Sequence, residues 1–176
     1  NNSLKNYIED LDALAKLESE ELALESTRWD FLDLTKEIFD AFEIKASEKN
    51  ITLSINYSQD TAIVLADKEK INQVLLNLIS NSIKYGKDDG WVIINIEKKE
   101  KCFRVSVKDN GIGIAPENIS RVFERFYRVD KGRSRSQGGT GLGLAIVKHI
   151  IEAHNEKIEI QSETEKGTTI TFTLPH

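Results

Sequence analysis

The stretch that decides the fold runs from Asp67 to Val107: DKEKINQVLLNLISNSIKYG over residues 67–86, then KDDG, then WVIINIEKKEKCFRVSV. Ile71, Val74, Leu75, Leu78, Ile79 and Ser82 recur with the helical period, which predicts an amphipathic helix burying one broad stripe. Asp67 stands where an N-cap belongs, and Gly86 stands where a helix is expected to stop. Directly afterwards Val92, Ile94 and Ile96 alternate, and Phe103, Val105 and Val107 do the same. The charged tip Glu97–Lys101 lies between them, so the pair reads as a β-hairpin with one buried face. A long one-faced helix feeding such a hairpin belongs to a layered α/β fold.

The flanking segments extend that pattern. Upstream, Leu22–Arg28 reads as a short strand, and Asp30 as the cap of a helix carrying Phe31, Leu34, Ile38, Ala41 and Phe42. Ile51, Leu53 and Ile55 alternate as a strand, and Ile63–Leu65 is another. Downstream, Pro116 suits a first helical turn. A helix follows from Leu142 to about His154, then two strands, Lys157–Ser162 and Thr168–Leu174, with Gly167 in the turn between them. Arg128 to Gly139 is basic, rich in Ser and Gly and nearly without apolar residues, so a loop is expected there. The expectation is a two-layer α/β sandwich: a mixed sheet with helices on one face. Residues 21–176 form the domain, and residues 1–20 an N-terminal helical arm. On that arm Leu4, Tyr7, Ile8, Leu11, Leu14 and Ala15 make a stripe. Either it lies on the domain, or it is the stub of a larger helical bundle.

The composition narrows the class. The chain of 176 residues is long enough to bury a core without staples. Its net charge of -5 argues against general nucleic-acid binding. One cysteine, Cys102, allows no internal disulfide framework and fits a reducing compartment. No apolar run reaches the roughly 20 residues that a bilayer crossing needs. The absence of methionine suggests a piece of something longer.

Three segments could carry chemistry. On the central helix Asn77, Asn81, Lys84 and Tyr85 fall at i, i+4, i+7 and i+8, on one facet. Asparagine is a poor helix former, so propensity does not explain the pair. A carboxamide oxygen is a hard neutral ligand of the kind Mg²⁺ accepts, and a lysine one turn on can meet a phosphate. Read alone, the facet is equally a solvated polar face. Second, Asp109–Asn110–Gly111–Ile112–Gly113 follows a strand. Asn-Gly favours a hairpin tip, yet Pro116 and Glu117 open a helix instead. Two glycines would let backbone approach a flat ligand, and a buried aspartate can accept an amine proton. Third, Gly138–Gly139–Thr140–Gly141–Leu142–Gly143–Leu144 runs into a helix, an anion-suited arrangement of backbone amides. A dinucleotide fingerprint would need a preceding strand, and Ser134–Gln137 is not one; no Walker P-loop sequence occurs.

Together these segments resemble the ATP-binding domain shared by gyrase, heat-shock chaperone, histidine kinase and mismatch-repair ATPases, the GHKL superfamily. The chain is most similar to the catalytic domain of bacterial sensor histidine kinases of the phosphate-regulon and cell-wall-regulator type. Asn77 to Tyr85 resembles the N box and Asp109 to Gly113 the first glycine box. Phe123–Glu–Arg–Phe126–Tyr–Arg128 resembles the F box, and Gly139–Thr–Gly141–Leu–Gly143–Leu the second glycine box. Gly167–Thr–Thr resembles the closing glycine element.

The resemblance implies a Bergerat-type fold and a site for ATP and Mg²⁺. In it Asn81 would bind the metal, with Asn77 in the same pocket, Lys84 on phosphate and Tyr85 over the base or ribose. Asp109 would take the adenine amine, with Gly111 and Gly113 giving the base clearance. Arg128, with Arg125, would approach the γ-phosphate, and Thr140, Gly141, Leu142 and Gly143 would wrap the phosphates. Asn81, Lys84 and Arg128 would carry catalysis. The segment from Glu124 to Thr140 would be a lid, with Lys131, Arg133 and Arg135 as solvated charges.

The ATPase branches place a glutamate where Asn77 stands. Asparagine cannot serve as a general base, so the resemblance implies a kinase that passes phosphate to a histidine. His149, His154 and His176 lack the acceptor context of an acidic residue and then Thr/Ser-Pro. His149 and His154 are expected to pack or cap around their helix. The acceptor would lie upstream, on a hairpin whose last part is residues 1–20. The implied partners are a response regulator and that hairpin, a homodimer in the full-length protein. Nucleic acid is not expected, and membrane attachment would come only through upstream segments, leaving this a cytoplasmic domain. A GHKL ATPase, an anti-sigma-type serine kinase and a non-catalytic nucleotide-binding module are the alternatives. Asn155–Glu156 departs from the two glycines usual in relatives, although asparagine tolerates positive φ.

Overall fold

The computed structural model describes residues 2–19, 23–128 and 142–176. Helix α1 (Asn2–Ser19) precedes β1 (Ser26–Asp30), which begins four residues later than the sequence suggests. Asp30 ends that strand, and its carboxylate accepts the amide of Leu32 at 3.0 Å, which starts α2 (Phe31–Glu48). The same carboxylate oxygen accepts the amide of Ala62 at 2.9 Å. Strands β2 (Thr52–Asn56) and β3 (Ile63–Asp67) follow. Asp67 repeats the device: it ends β3 and accepts the amide of Lys70 at 3.2 Å, capping α3 (Lys68–Lys84). The hairpin is β4 (Trp91–Lys98) and β5 (Cys102–Asp109), closed by the bond from Lys99 N to Cys102 O. After the one-turn α4 (Pro116–Ile119) come α5 (Gly143–Ala153), β6 (Ile158–Glu163) and β7 (Gly167–Pro175).

The strands form two sheets. β1 and β3 pair antiparallel on their own, while the main sheet has the order β2-β4-β5-β7-β6. Only β2 and β4 run parallel there. The alternation read from the sequence is the alternation of the pleat. Val92, Ile94, Ile96, Phe103, Val105, Val107, Ile170, Phe172 and Leu174 are buried on one face. The other face carries small polar and charged side chains such as Ser54, Arg104, Ser106 and Lys108. Helices α2, α3 and α5 cover the apolar face and complete one core with it. Phe31, at the first position of α2, is fully buried and meets Phe172 edge-on with centroids 6.3 Å apart. Removing such a ring costs about 3–5 kcal/mol.

Two features of this frame position the functional side chains. Asp109 ends β5, the middle strand, and lies opposite Val92 on one side and Thr168 on the other. Helix α3 packs against α5, so its remaining facet looks along the seam between them. The turn after α5 keeps its shape without glycine, because Asn155 adopts φ 59°.

Helix α1 is only partly docked. Leu14 is buried, and α1 touches α5. Leu4 is 60% exposed and Ile8 51% exposed, so most of the stripe remains without cover. No helix among the described residues is long and apolar enough to cross a membrane.

Candidate functional site

Helix α3 is fixed by its buried stripe of Ile71, Val74, Leu75, Leu78, Ile79 and Ile83, which settles where the opposite side chains point. Asn77 and Asn81 are half-buried. The Asn77 side-chain amide reaches the Gly143 carbonyl at 3.5 Å, at the start of α5. Lys84 is half-buried one turn on, with its ammonium 5.2 Å from the centre of the exposed Tyr85 ring. Burial, and then the Arg128 guanidinium, hold the Lys84 pKa below the ordinary lysine value. Two cations therefore converge at this end of the facet, a costly arrangement that an anion would relieve.

Asp109 lies at the other side of the α3 terminus. Its Oδ1 accepts the Gly111 amide at 2.9 Å and the Thr168 amide at 3.3 Å. The Ser82 hydroxyl also bonds to the carboxylate. Burial raises its pKa above the ordinary aspartate value, against the pull of those three donors. A half-buried carboxylate held by three donors and pushed up by desolvation is a candidate functional group.

The two glycines of this loop are also required by backbone packing, a reason the sequence did not offer. A Cβ at Gly111 would lie 2.4 Å from the Tyr85 carbonyl oxygen. At Gly113, where φ is +70°, it would lie 2.1 Å from the Glu163 carbonyl oxygen. The loop is pinned from both sides: Ile112 N donates to Tyr85 O at 3.1 Å, and Ile112 O accepts from Glu165 N at 2.7 Å. Gly86 follows the end of α3, where the sequence predicts the helix to stop, and its φ is not among the positive ones. A Cβ there would meet Ile51 Cδ1 at 2.7 Å and Ser82 O at 2.8 Å.

The remaining expected residues divide. Arg128 comes to Lys84, whereas Arg125 lines a crevice between α1 and α5 with Leu14, Phe123, Lys148 and His149. Leu142 is fully buried, so its side chain anchors the start of α5 in the core. Gly143 sits against Asn77, with room for a Cβ at ordinary contact distance. Thr140, Gly141, Lys131, Arg133 and Arg135, with most of the expected lid, lie outside the described residues. Phe126 takes φ 60° and stacks on Tyr7 of α1 at 5.8 Å.

None of the histidines sits with these groups in a transfer arrangement. His154 Nε2 accepts the Asp67 amide at 3.0 Å while Nδ1 meets Ile150 O at 2.8 Å, which puts the proton on Nδ1. His154 thus ties α5 to the start of α3, as a capping residue. His176 bonds to Lys99 O at the hairpin tip, and His149 faces the α1–α5 crevice.

Sequence reasoning missed Ser82 and Thr168 as partners of Asp109. Ser82 counted as a member of the apolar stripe, and only its polarity at a stripe position signalled otherwise. Ser162 was missed as well: its hydroxyl accepts from Ile114 N at 2.8 Å and donates to Gly167 O at 2.9 Å. Chemically, the groups carried by or beside α3 offer an acceptor for N–H at Asp109, cations at Lys84 and Arg128, and neutral carboxamides at Asn77 and Asn81.

The sequence pattern described as "Histidine kinase-, DNA gyrase B-, and HSP90-like ATPase" matches residues 66–176. The sensor histidine kinase WalK of Bacillus subtilis (strain 168) is 42% identical over 171 residues, which cover 96% of this chain and 28% of that protein. The chain therefore spans little more than a quarter of the length of that relative. The structure of full-length ShkA in complex with AMPPNP superposes with TM-score 0.85 at 28% identity, over 98% of this chain and 35% of that one. Histidine kinase ThkA in complex with the response regulator TrrA gives 0.80 at 28% identity, over 99% of this chain and 48% of that one. On the match over residues 66–176 and the identity to WalK, the chain belongs to the histidine kinase-, DNA gyrase B- and HSP90-like ATPase family.

Proposed function

We propose that this chain is the catalytic portion of a sensor histidine kinase, which binds ATP and passes its γ-phosphoryl group to a histidine outside the chain. The single observation that carries the reading is the side chain at 77. Asn77 lies on the facet that leads to Lys84 and Arg128, and an amide there cannot deprotonate water. A nucleotide held on that facet keeps its phosphate for a better nucleophile.

The roles follow from the chemistry of each group. Asp109 accepts the exocyclic amine of adenine, and Tyr85 offers its exposed ring to the base or ribose. Lys84 and Arg128 neutralise phosphate charge. Leu142 and Gly143 open α5 toward the phosphates, and the resemblance assigns Thr140 and Gly141 to the same anion. Among the described residues no cluster of His, Cys, Asp and Glu could hold a metal by itself. The neutral carboxamide of Asn81, with Asn77 beside it, suits Mg²⁺ that arrives with the phosphates, and they are the residues that would hold it. Bound there, the ion would supply further charge neutralisation. The acceptor imidazole attacks the γ-phosphorus with a nitrogen lone pair, the bond from that phosphorus to the bridging oxygen breaks, and ADP leaves.

The complex of ShkA with AMPPNP supports an adenine nucleotide as the ligand, and that of ThkA with TrrA supports a response regulator as the downstream partner. Helix α1 is then the last part of the helical hairpin that bears the acceptor, a dimerisation element in the whole protein. Membrane attachment belongs to segments beyond this chain.

The test has two steps. The chain should bind Mg-AMPPNP in calorimetry and acquire no acid-labile phosphate from ATP alone. Adding a separate hairpin that carries the acceptor histidine should restore transfer. Label on the chain itself, or no transfer to several cognate hairpins, would overturn the proposal.

A further inference from the structure

The last turn of α3 is held by a residue from another element. Lys49, at the end of α2, sends its ammonium to the carbonyls of Ile83 at 3.0 Å, Lys84 at 2.8 Å and Gly86 at 3.4 Å. A helix end leaves its final carbonyls without partners, and an ammonium has three donors to give them. The carbonyls from Ile83 to Gly86 all find donors. Ile83 O also accepts Gly86 N, Tyr85 O accepts Ile112 N, and Lys49 serves Lys84 O and Gly86 O. The two turns are laced further: Asp89 N donates to Lys49 O at 2.9 Å, and Asn50 Nδ2 to Asp89 Oδ1 at 2.6 Å.

From this geometry we infer that Lys49 is a positioning residue of the nucleotide site: by occupying the carbonyls at the α3 terminus, it leaves Lys84 and Tyr85 directed into the cleft. The inference rests on the nucleotide reading above. A basic side chain in the last helical turn can fold back to bond its own terminal carbonyls. Lys84 is the basic residue in that turn. Its ammonium instead lies over the Tyr85 ring and near Arg128. The carbonyls that would draw it back are already taken by Lys49. The Lys49 charge also offsets the negative end of the helix dipole directly behind a site meant for phosphate. Through Tyr85 O and Ile112 N the same turn sets the loop that begins at Asp109.

The experiment is calorimetric titration of the chain with Mg-AMPPNP, with denaturant unfolding of each variant alongside. K49M removes the charge and all three donors, and K49Q keeps part of the reach and some polarity. Both should bind at least about tenfold more weakly while still folded, and K49R should recover to within about threefold of the unaltered chain. The comparison variant is W29F, which deletes the bond from Trp29 Nε1 to Ala66 O far from the α3 terminus. It should lose stability and leave affinity unchanged. Folded K49M or K49Q binding as tightly as the unaltered chain would overturn the inference. So would equal weakening by W29F, which would make the effect one of general stability. Failure of the unaltered chain to bind at all would instead strike the nucleotide reading.

Discussion

Oδ1 of Asp109 accepts the Gly111 amide at 2.9 Å, so the carboxylate holds its own loop with one oxygen. Thr168 N donates to that same oxygen at 3.3 Å. Oδ2 carries neither of these backbone bonds, and on the nucleotide reading it is the oxygen we propose for an incoming amine. The substitution Asp109→Asn can keep Oδ1 in place and so preserve the loop. It puts an NH₂ group where an acceptor is needed, facing the ligand's own N–H. Losing a hydrogen bond to a charged group costs about 1.5–3 kcal/mol, so affinity for Mg-AMPPNP should fall by roughly 10- to 150-fold. Calorimetry checks this, and unchanged affinity would remove Asp109 from the adenine role.

The same substitution should move stability the other way. Burial raises the Asp109 pKa, so between the unfolded and folded values the native state binds more protons than the unfolded chain. The contribution of Asp109 is thus fully favourable at acid pH and is lost as pH rises through the raised value. At neutral pH the ionised carboxylate is a cost that Asn does not carry. Asp109→Asn should raise the denaturant midpoint near pH 7, and its advantage should shrink as pH falls toward the ordinary aspartate range. A lower midpoint near pH 7 would contradict this account. A gain in stability at the expense of binding is the mark of a functional group held in a costly place.

Lys84 gives a prediction of opposite charge. Its pKa is lowered by burial and by Arg128. Below the ordinary lysine range the free chain is therefore less fully protonated there than an exposed lysine would be. A polyphosphate arriving beside it restores the ordinary preference for the ammonium, so binding should take up protons. Titration in buffers of different ionisation enthalpy should give net uptake that grows as pH rises toward the ordinary lysine range. Lys84→Met should abolish it and weaken binding by roughly tenfold or more. Zero uptake over that range would place the phosphates elsewhere.

Much of this was legible in the sequence because local rules and tertiary packing agree. The stripe on α3, the aspartate caps at 30 and 67 and the alternation of β4 and β5 all state their structure within a few residues. The parallel β2–β4 pair and the separate β1–β3 sheet were not legible, since no local pattern encodes which strand a chain will find at a distance. The packing around the glycines was not legible either. At Gly86, Gly111 and Gly113 the crowding comes from Ile51, Tyr85 and Glu163, and only the fold brings those neighbours. Lys49 was silent for the same reason, because its acceptors lie 34 to 37 residues away.

The stack of Tyr7 on Phe126 joins α1 to the segment that follows α4, with ring centres 5.8 Å apart and planes inclined by 29°. Phe126 holds φ 60° there, a conformation that a bulky residue adopts at a cost of about 1–2 kcal/mol. Such a cost is met only where surrounding contacts over-determine the backbone. Tyr7 is one such contact, and both rings remain substantially exposed, at 36% and 47%. An aromatic pair adds about 0.5–1.5 kcal/mol, which is roughly a 2- to 12-fold change in local opening. Tyr7→Ala should therefore speed amide exchange across residues 121–128 by that factor, while exchange in β5 and β7 stays as it was. The measurement is hydrogen exchange by NMR on the whole chain. Unaltered exchange at 121–128 would mean that the arm rests on the domain through Leu14 alone, with Phe126 held by its own loop.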